Sequence, residues 1–400
     1  MRVLLSTIGS RGEVQPMVGL ASELRALGQE VRLCVPPDFT DWVGGLGFDV
    51  VPIGPEVRQT AKAGGQRVAE FTLEQRLALI QGTVATQFER IGAAVKDCDA
   101  IVGGGALMVG ARSVAERSGI PYVYASFCPV TLPSPHHAPP SMGLPTDETA
   151  DDRAKWADDA RRWNELWGGA LNSHRAAAGL APVTDVRGHL FTDRPWLAAD
   201  PVLGPWPGSA DPTVFQTGAW IYPDERPLSA ELEAFLAAGE PPVYFGFGSM
   251  RASEDLGRAM IASARAHGRR AIVARGWADL APVDDEPDWL SVGEVNQREL
   301  FTRVAAVVHH GGAGTTATAG RAGAPQVLVP QMYDQPYWAR RVADLGIGAA
   351  HAPSVPTEDT LATALGQVLR PEVVARAGAV AAEVRVDGAR IAAQRLIAGG

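Results

Sequence analysis

Four hundred residues suffice for two or three domains at roughly 150 residues each, with a large buried core. Hydrophobic residues make up 46% and charged residues 20%, which excludes disorder and fibrous repeats. The net charge of −9, without a basic run, argues against a nucleic-acid surface or an anionic-membrane patch, so any bound phosphate must be held locally.

The chain opens with the apolar run 2–7, read as a strand, followed by the turn Thr7-Ile8-Gly9-Ser10-Arg11-Gly12-Glu13. Met17, Leu20, Ala21, Leu24 and Leu27 then recur at helical spacing and form one apolar face. The turn has neither the GxGxxG spacing of dinucleotide binding nor the GxSxG of a nucleophilic serine. Its two glycines let a bound group approach the backbone at the ligand edge of an open α/β sheet. Glu13 lies at the helix start, facing the proposed cleft; the plain reading is that it complements the helix dipole.

Further strand-like runs follow at 31–36, 49–53, 100–104 and 121–127. Asp97-Cys98-Asp99 has the DxD form of metal-dependent sugar transferases but precedes a strand and reads as a solvated turn, so no metal is expected. Cys34, Cys98 and Cys128 are irregularly spaced, which suggests a reducing compartment. The opening residues lack signal-peptide features, and the uncharged stretch 119–146 is broken by seven prolines; a cytoplasmic protein without a membrane span is expected. A Pro-rich stretch at 129–150 precedes a helical segment, 151–178, with Trp156, Trp163 and Trp167.

The strand–helix rhythm resumes after a proline-rich connection, with runs at 243–249, 271–276, 290–295, 305–310 and 326–330. The expected fold is α/β, with two facing Rossmann-like domains and a cleft between them. The expected boundaries are 1–205, a linker at 206–220 and a second domain from 221. Several strands of the second half end in polar or glycine-rich turns: Gly246-Phe247-Gly248-Ser249, Arg275-Gly276-Trp277 and Gly293-Glu294-Val295. Trp277 could stack on a nucleobase, and the backbone at Val295 could bond its edge; packing is the plainer reading of both.

His309-His310-Gly311-Gly312-Ala313-Gly314-Thr315-Thr316 follows the next strand and opens a helix. Backbone N–H groups at such a start favour an anion, and the glycines admit phosphate oxygens. Without the lysine of GxxxxGK[ST], a diphosphate would be met by backbone N–H groups, Thr315 and a histidine. Asp334-Gln335 lies at the end of the following strand, where it offers hydrogen-bonding groups for sugar hydroxyls or caps the next helix.

These motifs, with Asn172-Ser173-His174-Arg175, Trp196 to Pro201, Gln216 to Trp220 and Arg275 to Leu280, make the chain resemble the family 1 inverting glycosyltransferases of the GT-B fold. The likeness is strongest to the actinobacterial enzymes that glycosylate glycopeptide-antibiotic aglycones. It implies an acceptor-binding N-terminal domain, a nucleotide-sugar-binding C-terminal domain over 221–380, and a C-terminal helix at 381–400 that crosses back onto the first domain. It also implies donor contacts at Ser10, Arg11, Gly12, Ser249, Trp277, Val295, His310, Gly311, Gly312, Gly314 and Thr315. Asp334-Gln335 matches members that use a glucose-type donor, so UDP-glucose is the favoured co-substrate, with UDP or dTDP as the nucleotide. Glu13 stands where relatives usually carry an aspartate general base.

The resemblance further implies metal-independent, in-line transfer to a small-molecule aglycone by a monomeric enzyme without a cofactor. Competing readings are a sugar-nucleotide 2-epimerase, a catalytically inactive nucleotide-sugar-binding partner protein and, most remotely, a NAD oxidoreductase.

Overall fold

The computed structural model describes residues 1–58, 71–140, 147, 149–208, 213–248, 254–277, 284–352 and 355–399. Two all-parallel sheets organise these residues. The first has seven strands: β1 (Arg2–Thr7), β2 (Glu30–Val35), β3 (Asp49–Pro52), β4 (Ala100–Gly104), β5 (Tyr122–Ser126), β6 (Trp196–Leu197) and β7 (Phe215–Gln216). Their spatial order is β3-β2-β1-β4-β5-β6-β7. The second has six: β8 (Val243–Gly246), β9 (Ala271–Ala274), β10 (Trp289–Val292), β11 (Ala306–His309), β12 (Gln326–Leu328) and β13 (Gly348–Ala350), ordered β10-β9-β8-β11-β12-β13.

The apolar runs become strands because helices cover both faces, so consecutive residues such as Val3, Leu4 and Leu5 are fully buried. In each sheet the strand order reverses beside the first strand of its domain, the position where open α/β sheets present a ligand crevice. Helix α1 (Arg11–Ala26) starts at that point in the first domain, capped by Ser10, and buries Met17, Leu20, Ala21 and Leu24. Strand β7 lies within the segment expected to be the linker: Phe215 and Gln216 pair with Trp196 and Leu197. The chain leaves the first sheet only after that strand.

The halves pack directly on each other. One apolar cluster joins Leu203 and Trp206 to Ala317, Trp338, Ala339 and Val342 of the second half. The closing helix at Gly388–Ile397 returns to the first domain, where Ala389, Ala392, Ala393 and Leu396 share a core with Met17, Leu20 and Leu24. No described helix is long and apolar enough to cross a membrane.

Candidate active site

The turn after β1 holds Glu13 in a folded-back pose. Ser10, at the N-cap of α1, accepts from the Gly12 N–H (3.3 Å) and donates its own hydroxyl proton to Glu13 Oε2 (2.9 Å). The Glu13 side chain then lies over Gly9, where a Cβ would come within 2.7 Å of its Cγ and Oε2. The longer side chain is thus curled against its own turn, and only glycine at position 9 leaves room for it. Burial pushes the Glu13 carboxyl above its ordinary range, opposed by the hydrogen bonds with Ser10. Ser10, expected to reach phosphates, engages the carboxylate and caps the helix.

The partner carboxylate comes from the other domain. Asp334 stands before α2 (Gln335–Asp344) at the N-cap position, yet its side chain makes no capping bond. Its Oδ2 instead accepts from Trp338 Nε1 at 3.0 Å. Burial pushes the Asp334 carboxyl up to about 7, against the Trp338 hydrogen bond, and the nearby Glu13 charge raises it further. Two carboxyl groups from different domains therefore face one cleft, each disfavoured in its ionised form. Tyr333, which the sequence reading passed over, sits beside them at φ 58, a left-handed conformation uncommon for a bulky residue. Its signal in the sequence was only its place before Asp334.

Gln335 behaves differently from its neighbour. It is buried, and its side-chain oxygen accepts from the backbone N–H groups of Gln331 (2.7 Å) and Met332 (3.2 Å). The amide oxygen expected for sugar hydroxyls therefore shapes the turn that presents Asp334.

The histidine pair splits into two roles. His309 is fully buried; its Nδ1 accepts from Gly311 N–H (3.1 Å), which places the ring proton on Nε2, facing Gln326 Oε1 at 3.0 Å. It is a satisfied core histidine that holds the glycine turn. Gly311 has φ 93, and the chain then enters α3 (Ala313–Ala322). Burial lowers His309 to about 3 and His310 to about 4, so both rings are neutral near pH 7. His310 can donate or accept but brings no positive charge.

Gly312, the N-cap of α3, provides no side-chain capping bond. The first backbone N–H groups of the helix are thus left for a ligand or solvent. Gly314 has open space around the position of a Cβ, and Thr315 is half-buried beside it. Thr316 Oγ1 and Thr318 Oγ1 turn inward onto the Gly312 and Gly314 carbonyls, at 2.9 and 2.8 Å.

Arg11 and Trp277 lie between the two domains. Arg11 donates to Gln15 Oε1 (3.0 Å) and to both Glu294 oxygens (3.2 Å), and its guanidinium lies 3.5 Å from the Trp42 ring centroid. Trp277 packs over Phe39 of the first domain, with centroids 6.0 Å apart and planes 30° apart. Both residues thus span the two domains, and one face of Trp277 is taken. Val295 is half-buried on the apolar cluster around Leu300, next to Asn296, which caps a helical turn and donates to the Asp224 and Arg226 carbonyls. Gly12 is exposed at the start of α1. Ser249 lies outside the described residues. At the DxD motif, Asp99 accepts from the Arg2 N–H at 2.7 Å.

Comparison with known proteins supplies names for such a site. Residues 3–134 match the glycosyltransferase family 28 N-terminal domain, and residues 272–391 match the erythromycin biosynthesis protein CIII-like C-terminal domain. The vancomycin aglycone glucosyltransferase of Amycolatopsis orientalis is 52% identical over 400 residues, covering 99% of this chain and 97% of that protein. Glycosyltransferase GtfE of the same organism is 54% identical over 402 residues, covering 100% and 97%. A dTDP-epi-vancosaminyltransferase, also from that organism, is 47% identical over 391 residues, covering 95% and 93%. Among solved structures, the glycotransferase of kitacinnamycin superposes with a TM-score of 0.74 at 19% identity, covering 99% of this chain and 98% of that one; at that identity the likeness concerns the fold.

Proposed function

The chain belongs to the GT-B glycosyltransferases, in the group that includes the vancomycin aglycone glucosyltransferase, and from that membership we propose that it is an inverting hexosyltransferase acting on a glycopeptide aglycone. The observation that carries this reading is the pair of buried carboxyls from opposite domains, Glu13 and Asp334, near enough for one charge to act on the other, with the uncapped start of α3 in the second domain. The names of the relatives support a sugar-nucleotide donor and an aglycone acceptor. Two features support glucose from UDP or dTDP: the Asp334 carboxylate at the cleft, and the glucosyltransferase among the closely similar relatives.

In this mechanism the aglycone hydroxyl attacks the anomeric carbon while Glu13 takes its proton. The new oxygen–carbon bond forms as the bond from the sugar to the β-phosphate breaks. A carboxylate with a raised pKa is a better proton acceptor than an ordinary one, provided it is ionised. The departing diphosphate gathers charge at the start of α3, where backbone N–H groups, the helix dipole and Thr315 receive it. That helix start supplies the stabilisation that a divalent cation gives in other transferases, and it suits a site whose histidine, His310, is neutral. Asp334 bonds the sugar hydroxyls, and Trp277 and Val295 border the base.

Incubating the protein with UDP-glucose and a vancomycin-type aglycone tests the reading by mass spectrometry. A hexose adduct that depends on both substrates is the expected product. Conversion of the sugar nucleotide without acceptor would point to an epimerase instead, and tight UDP binding with no transfer over a broad acceptor panel to a binding protein.

A further inference from the structure

Asp334 occupies a position where an aspartate ordinarily caps its own helix, accepting from backbone N–H groups two or three residues on. Here the carboxylate is turned away from that role and bonded to an indole one helical turn later, Trp338 Nε1 to Oδ2 at 3.0 Å. The indole is 2% exposed, and its far edge meets the other domain. A Cβ on Gly204 would fall 2.7 Å from Trp338 Cη2 and 2.9 Å from Cζ3, so the ring fits only against a glycine. The same helix is tied to that loop by Arg341, which donates to the Leu203 and Val202 carbonyls at 3.0 and 3.1 Å. Trp338 also borders an interdomain cavity of about 20 Å³ shared with Leu203, Ala313 and Gly314, beside the start of α3.

We propose that Trp338 is a positioning residue for the transferred sugar, its N–H fixing the Asp334 carboxylate and its ring edge registered by Gly204 of the opposite domain. The inference rests on the donor assignment above. One carboxylate oxygen is held by the indole, which leaves the other to bond a sugar hydroxyl in a defined direction. The nucleotide itself does not require this arrangement, because its diphosphate meets the glycine turn and α3. Loss of the indole N–H should therefore weaken recognition of the sugar while sparing recognition of the nucleoside diphosphate.

The test is calorimetric titration of wild type and Trp338→Phe with UDP-glucose and with UDP. Phenylalanine keeps an aromatic ring and removes the donor. The ratio of UDP-glucose affinity to UDP affinity should fall about tenfold, the loss expected for one hydrogen bond to a charged group. Gly204→Ala, which pushes the ring from the opposite side, should lower the same ratio, and adding Trp338→Phe to Asp334→Asn should change it little further. An equal loss for both ligands would reduce Trp338 to packing, and an unchanged ratio in a folded variant would remove the positioning role; either overturns the proposal. Failure of the wild-type protein to bind UDP, dTDP or their glucose conjugates would instead overturn the donor assignment beneath it.

Discussion

At the scale of single residues, the resemblance to known transferases raises the question of how Glu13 can stand where an aspartate is usual. The added methylene is absorbed locally, because the side chain folds back over Gly9 and receives the Ser10 hydroxyl. Glu13→Gln keeps this shape and removes the proton acceptor, so turnover should fall by roughly 10²–10⁴-fold while UDP affinity changes less than about twofold. Gly9→Ala should also lower turnover, by about tenfold on the scale of a displaced catalytic group, because the new methyl meets the carboxylate at 2.7 Å.

The pH dependence follows from the direction of the shift. A carboxyl raised in the fold is protonated, and inactive as a base, at pH values where an ordinary one is ionised, so the acid limb of kcat should lie above the ordinary carboxylate range. The same shift costs stability above the unfolded-state pKa, and that cost disappears as pH falls below it. Glu13→Gln should therefore raise Tm at pH 8 and show no gain near pH 3; thermal melts at the two pH values check this. The proposed roles of Glu13 and Asp334 come from motif resemblance, since nothing in their spacing tells a cap from a reactive group. The partition of His309 from His310 was not legible at all, because adjacent residues on a strand face opposite sides and the tautomer depends on Gln326, seventeen residues away.

At the scale of elements, the start of α3 carries the diphosphate assignment. Gly314 lies within the helix with open space at its Cβ position, so alanine there should keep stability or raise it by up to about 1 kcal/mol through helix propensity. The same methyl projects where phosphate oxygens approach, and UDP affinity should fall by about tenfold or more. Gain of stability with loss of affinity distinguishes a ligand site from an ordinary strand–helix turn, and a paired melt and calorimetric titration reads both.

The doubly covered strands were legible because burial on both faces makes them continuously apolar, as in Val3-Leu4-Leu5 and Ala306-Val307-Val308. Strands β6, β7 and β13 were not, since two or three residues carry no period and Gly348-Ala349-Ala350 lacks β-branched side chains. For β7 this moved the sheet edge into the expected linker. The helix over 151–178 was legible from its periodicity, and it forms from Asp152 to Ala177 with Asp151 as its cap.

At the scale of the whole molecule, the two domains meet through features that a single sequence does not relate. Arg11 with Glu294 and Phe39 with Trp277 join them, as does Trp338 against Gly204 beside Asp334. The ion pair is solvent-facing, with Glu294 62% exposed, so it should contribute less than about 1 kcal/mol to stability. Glu294→Ala should leave Tm nearly unchanged yet raise KM for the sugar nucleotide a few-fold, and wild-type KM should rise with ionic strength while that of the variant should not.

A net charge of −9 supplies no broad positive field, so the proposed diphosphate would have to be met by the start of α3. In the proposed mechanism, attack in line from the Glu13 side with the diphosphate leaving toward α3 would invert the anomeric centre. The proton NMR coupling of the anomeric proton in the purified glycoside, made from UDP-α-glucose and a glycopeptide aglycone, measures that outcome. The arrangement predicts a β-linked glucoside; an α-linked product, or none under conditions where UDP binds, would contradict it.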